Sequence, residues 1–106
     1  MEHRKLADLI AFEPSRMAKH RLFETDRTLT DLYCLEPGQE QQSHVHDDAD
    51  KIAVVMAGRV LVSVGGEQRE AAQYEAVLAP AGAAHAFKNL GPEPAVVLVF
   101  LGPRPR

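Results

Sequence analysis

The sequence predicts an all-β fold, one small barrel of short strands behind a short N-terminal lead-in. Three observations carry this expectation. Apolar and β-branched runs recur at roughly 8–12-residue spacing from Arg27 to Leu101. Gly and Pro punctuate the gaps between them. No helix-period segment of about twelve or more residues follows Pro14.

The lead-in, residues 1–20, carries Leu6, Leu9 and Ile10 at i, i+3 and i+4, which predicts a turn or two of helix over residues 5–13, ended by Pro14. Residues 21–103 make the barrel domain. Arg27–Glu36 alternates Leu29, Asp31, Tyr33 and Leu35 against Thr28, Thr30, Leu32 and Cys34. Both rows are partly apolar, so this strand is expected to be covered on both faces. Pro37-Gly38 turns the chain. Ile52–Met56 and Val60–Val64 are β-branched runs on either side of a tight corner at Gly58-Arg59. Gly65-Gly66 reads as a hairpin turn. Gln68–Ala72, Glu75–Leu78, His85–Asn89 and Ala95–Leu101 bring the total to about eight strands. The final GPRPR reads as a solvated, extended tail.

At 106 residues, 45% hydrophobic and 25% charged, the chain has the content of one core. A net charge of -3 argues against a general hold on nucleic acid, and Arg104 and Arg106 in a Pro-rich tail make no basic patch. The longest apolar run, Ala95–Leu101, is far short of the roughly 20 residues that span a bilayer. The start mixes charges among its apolar residues, unlike a signal peptide. Cys34 has no disulfide partner and is expected as a small buried apolar residue in a reducing compartment. A soluble, cytoplasmic protein is therefore expected. Ser15, Ser43 and Ser63 lie outside any nucleophile elbow, and Gly65-Gly66 opens no helix to cradle a phosphate.

The chemistry concentrates in histidine. His44 and His46, at i and i+2 in extended chain, point to one face and can present two imidazoles to one cation. His85 follows a Pro80/Gly82 turn and shares a strand face with Phe87 and Asn89. His3 and His20 stand apart and are expected at the surface.

These residues resemble the two motifs of the cupin superfamily, commonly written G-x5-H-x-H-x3,4-E-x6-G and G-x5-P-x-G-x2-H-x3-N. Gly38, His44, His46 and Gly58 match the first, and Pro80, Gly82, His85 and Asn89 the second. The resemblance implies a double-stranded β-helix, a jelly-roll barrel, with His44, His46 and His85 as ligands of a divalent ion (Fe, Mn, Ni or Zn). It also implies a homodimer through the outer face of one sheet, for which the two-sided rows of Arg27–Glu36 and Ala95–Leu101 are suited.

Two positions depart from the motifs. Tyr74 replaces the first Gly of the second motif; tyrosine resists positive φ, so a different turn is expected there. Lys51 stands at the acidic position, with Asp50 beside it but one residue out of phase. An ammonium about 4 Å from a divalent ion would be repelled by roughly 8 kcal/mol at an effective dielectric of about 20. Three arrangements relieve this. Lys51 can swing out to pair with Asp47, Asp48 or Asp50, leaving three His ligands. It can lose its proton through burial. Or the site binds no metal, and the histidines and the ammonium hold an anion.

Phe87 and Tyr33 are the other candidates for the ligand pocket, Tyr33 with an equal chance of packing outside. No catalytic residue is assigned. The resulting expectation is a metal-binding barrel acting on a small anionic molecule, dioxygenase-like in the enzymatic case. Its rival is a metal-free module that binds or senses a small molecule without catalysis.

Overall fold

The computed structural model describes residues 1–103; the expected tail at Arg104–Arg106 lies outside them. Among the described residues, nine strands form two antiparallel sheets. One has the order β1 (Ala18–Glu24), β2 (Leu29–Leu35), β9 (Ala95–Gly102), β4 (Asp50–Ala57), β7 (Ala76–Ala79). The other runs β3 (Glu40–His44), β8 (His85–Lys88), β5 (Arg59–Val64), β6 (Glu67–Ala72). The inner rows of both sheets meet in a core containing Tyr33, Leu35, Val62, Phe87, Val97 and Val99.

Gly58 makes the corner at which the chain leaves the first sheet and enters the second. Its φ is +74°, and a Cβ there would collide with the Pro94 carbonyl. Gly65 closes the β5–β6 hairpin at φ +60°. Tyr74 corrects one expectation: it adopts φ 67°, the left-handed conformation a Gly would take. The turn is held from outside the tyrosine. Its N–H donates to Val55 O at 2.6 Å, Val55 N–H donates to Glu75 O at 3.0 Å, and Glu75 accepts from Ala72 N–H at 2.6 Å. These bonds offset a local strain of about 1–3 kcal/mol.

The strands β1 and β3 were not anticipated. β1 carries a bulge between Arg21 and Phe23 that breaks its alternation. β3 is a polar edge strand.

The helix is shorter than expected, a single turn at Leu6–Leu9 with no capping side chain. The chain extends from Ile10, which is exposed. Leu6, Leu9 and Phe12 lie across the outer face of the first sheet against Leu22, Leu32 and Cys34. His20, expected at the surface, fastens this strap: its Nε2–H donates to Ala11 O at 2.9 Å. Gln39 Nε2 donates to Glu13 O at 2.6 Å. The strap covers the β1–β2 half of that face. Towards β7, the cross-strand row Phe100, Ile52, Leu78 stays exposed. No helix among the described residues is long and apolar enough to cross a membrane.

Candidate metal centre

On the inner face of the four-stranded sheet, His44 lies directly opposite His85. A bulge between Gln41 and His44 keeps both on that face, Gln41 opposite Phe87. His46 follows β3, and its carbonyl accepts from Gly82 N–H at 2.8 Å, tying the two histidine-bearing loops together. The imidazole centroids are 4.2 Å (His44–His85), 4.9 Å (His44–His46) and 5.5 Å (His46–His85) apart.

One nitrogen from each ring lies within 4.8 Å of the others. Ligands about 2.0–2.1 Å from a shared ion are at most about 4.2 Å apart, so small rotations of the half-buried His44 and His46 close the set.

The tautomers follow from the partners. His44 Nδ1 is 3.0 Å from Gln42 O and His85 Nδ1 is 3.1 Å from Ala83 O. A carbonyl only accepts, so each Nδ1 carries the proton and each Nε2 presents a lone pair. His85 Nε2 is buried and has no hydrogen-bond partner. Burial, with Lys51 adding repulsion, pushes all three imidazoles below their ordinary pKa, His85 to about 4. They are neutral at neutral pH, the form that binds metals. The residues fit a cation.

Lys51 does not swing out to the aspartates. It points inward, is 1% exposed, and takes part in no ion pair among the described residues. Asp50 is exposed and accepts from Ala81 N–H at 2.8 Å. Lys51 Nζ donates to Tyr33 Oη at 3.0 Å and to Gln41 Oε1 at 2.9 Å. Gln41 Nε2 donates to the same Tyr33 Oη at 3.0 Å, closing a triangle. A neutral amine has two N–H groups and both are used; the third N–H of an ammonium has no partner among the described residues. Burial, then repulsion from Lys19, pushes Lys51 down to about 7. The same burial pushes Tyr33 up to about 12. The Phe87 ring closes the nest, its centroid 5.0 Å from Nζ.

A cavity of about 640 Å³ opens beside the histidines, lined among others by His44, His46, Tyr33, Gln41, Lys19 and Arg21. Lys51 and Phe87 are buried beside it. Gln41, Lys19, Arg21 and Asp31 were not foreseen as site residues. Asp31 carried a signal: it is the charged member of the otherwise apolar row Leu29, Tyr33, Leu35.

A family model described as "Cupin domain" matches residues 31–101. A crystal structure of the protein TT1209 from Thermus thermophilus superposes with a TM-score of 0.95 at 44% identity, over 99% of this chain and 100% of that one. An uncharacterized protein of Streptomyces coelicolor is 33% identical over 72 residues, 68% of each chain. The tetracenomycin polyketide synthase protein TcmJ of Streptomyces glaucescens is 32% identical over 69 residues. That match spans 65% of this chain and 46% of TcmJ, less than half of the relative.

Proposed function

The chain belongs to the cupin family, and from that premise we propose that it holds one divalent ion through His44, His46 and His85 and takes a small anionic molecule into the adjoining cavity. One observation carries the reading: the buried, unpartnered lone pair of His85 Nε2, set among two further imidazole nitrogens within 4.8 Å. Bound there, Fe supplies redox chemistry towards dioxygen, the oxidoreductase activity this reading favours, whereas Mn, Ni or Zn supplies chiefly Lewis acidity. The chain's own residues do the rest. The Gln42 and Ala83 carbonyls orient two imidazoles, and Lys19 and Arg21 draw an anion to the mouth. Burial lowers the pKa of Lys51 to about 7 while Tyr33 and Gln41 take up two of its N–H groups, which weakens its opposition to a cation.

The test is the metal content of untagged protein, with Lys51→Glu beside it. Stoichiometric metal in the wild type supports the reading. Metal absent there but present in Lys51→Glu favours the second reading, a metal-free binding module. The cations Lys19 and Arg21 on the cavity wall, with Lys51 buried beside it, suit that alternative.

A homodimer is part of the proposal. The strap already covers the outer row of β2, so the exposed row Phe100, Ile52, Leu78 is the surface left for a second copy. Sedimentation should report a dimer at micromolar concentration and a monomer for Ile52→Lys/Phe100→Glu.

A further inference from the structure

Asp31 lies on the inner row of β2 between Leu29 and Tyr33, both on the cavity wall, and is 1% exposed. Its partners all come from the edge strand β1, where Arg21 is directly opposite and Lys19 is opposite Tyr33. Arg21 Nε donates to Asp31 Oδ1 at 2.6 Å. The other oxygen, Oδ2, is buried and accepts no hydrogen bond from the described residues. Lys19 Nζ is 3.8 Å from it, too long for a hydrogen bond, on a side chain that is 48% exposed.

An ionised carboxylate only accepts, and a buried acceptor without a donor is costly. Oδ2 therefore takes a donor whenever one can enter, from solvent water or from a group of the ligand. Lys19 and Arg21 both line the cavity beside this oxygen, and Lys19, whose tie among the described residues is the 3.8 Å contact, is the side chain freer to move aside. A second cation is a poor guest beside Lys19 and Arg21. A hydroxyl suits the position, because it donates to Asp31 Oδ2 and accepts from Lys19 Nζ together.

We infer that Asp31 and Lys19 form a hydroxyl-recognition subsite, and that the ligand is a small hydroxylated carboxylic acid. Its carboxylate lies at the histidine end and a hydroxyl lies between Lys19 and Asp31. This rests on the reading that a small anion occupies the cavity, and adds which anion. The cavity, about 640 Å³, is ordinary for small-molecule sites of about 300–1,000 Å³.

The probes are D-gluconate and hexanoate, six-carbon acids with and without hydroxyls, titrated calorimetrically into chelator-stripped and Zn-loaded protein. A hydrogen bond to a charged group is worth about ten- to a hundredfold in affinity. The gluconate-to-hexanoate preference should therefore fall at least about tenfold in Asp31→Asn, with hexanoate affinity nearly unchanged. Asp31→Asn also removes the buried counter-charge of Arg21, which keeps Glu24, and could unfold the chain; Lys19→Met, on an exposed side chain, should lower the same preference severalfold. An unchanged preference in both variants, or no binding of gluconate by the wild type, overturns the subsite. A preference in stripped protein that takes up no Zn supports the subsite and removes the metal reading. Zn uptake that tightens both acids equally, with no preference between them, does the reverse.

Discussion

The cavity has two walls, and the same burial acts on them with opposite consequences. On the four-stranded sheet it strips protons from imidazoles whose Nδ1–H groups are tied to the Gln42 and Ala83 carbonyls, leaving lone pairs that face one another. On the five-stranded sheet it lowers the pKa of Lys51 to about 7, so that the amine sheds its proton as the pH rises through neutrality, with two N–H groups taken up by Tyr33 and Gln41. The first wall thereby becomes a cation receptor. The second loses the charge of Lys51 as the pH rises through about 7, with the cations Lys19 and Arg21 still lining its mouth. A lysine in place of a carboxylate is thus compatible with a metal across the cavity, without any swing towards the acidic loop.

Removing the receptor should have the largest effect. His85→Ala, His46→Ala or His44→Ala leaves two neutral imidazoles, which rarely hold a divalent ion unaided. Divalent affinity should fall by at least about a hundredfold in each, read by competition with a chromophoric chelator. Retained binding in His85→Ala would show that its buried lone pair serves packing alone.

The second wall is tested through pH. The folded pKa of Lys51, about 7, lies below its ordinary 10.5, so between these values the unfolded chain binds the extra proton. Wild-type stability should therefore rise with pH from about 7, until Tyr33, whose folded pKa is about 12 against 10.0, begins to oppose it above pH 10. The gain across that window is on the order of 3–4 kcal/mol, measurable by urea unfolding at pH 7 and pH 9.5. Lys51→Met should lose this rise, leaving at most the decline that the raised thiol pKa of Cys34 brings from about pH 9, and should be more stable than the wild type at pH 7. A flat wild-type profile would mean that the ammonium persists in the fold.

These walls were unequally legible in the sequence. The three histidines stand at the motif spacings from their glycines and proline, and β3–β8 pairing brings His44 to His85 while the Gly82 bond to the His46 carbonyl brings in the third. The fate of Lys51 was hidden. Its aspartate neighbours are close in the chain but exposed, on the loop before β4 and at its first residue, while Tyr33 and Gln41 arrive from two other strands, 18 and 10 residues away. The strand pattern was visible wherever both faces are buried, as in β2 and β9, because apolar residues then mark every position. It failed at two of the four edge strands, where β3 is polar and the bulge in β1 slips the alternation, whereas the edges β6 and β7 were anticipated. The apolar outer row of Arg27–Glu36 signalled a need for cover, and much of that cover comes from the chain's own strap.

The smallest expected effect isolates the hydroxyl that joins the nest. Tyr33 Oη accepts from both Lys51 Nζ and Gln41 Nε2, so Tyr33→Phe leaves two donors facing a hydrogen atom. The ring itself stays, edge-on to Phe87 at 6.1 Å between centroids, so packing loss is minor. The cost depends on the charge of Lys51. With a neutral amine, the variant loses the ordinary worth of unmade hydrogen bonds, about 1–2 kcal/mol. With an ammonium the same deletion strands part of a buried charge and costs about 3–5 kcal/mol. Unfolding at pH 9.5, where the folded wild type is discharged, should give the smaller value, and the penalty should grow as the pH falls below 7. A penalty independent of pH would mean that Tyr33 does not sense the proton on Lys51, and that the two walls differ in composition but not in charge.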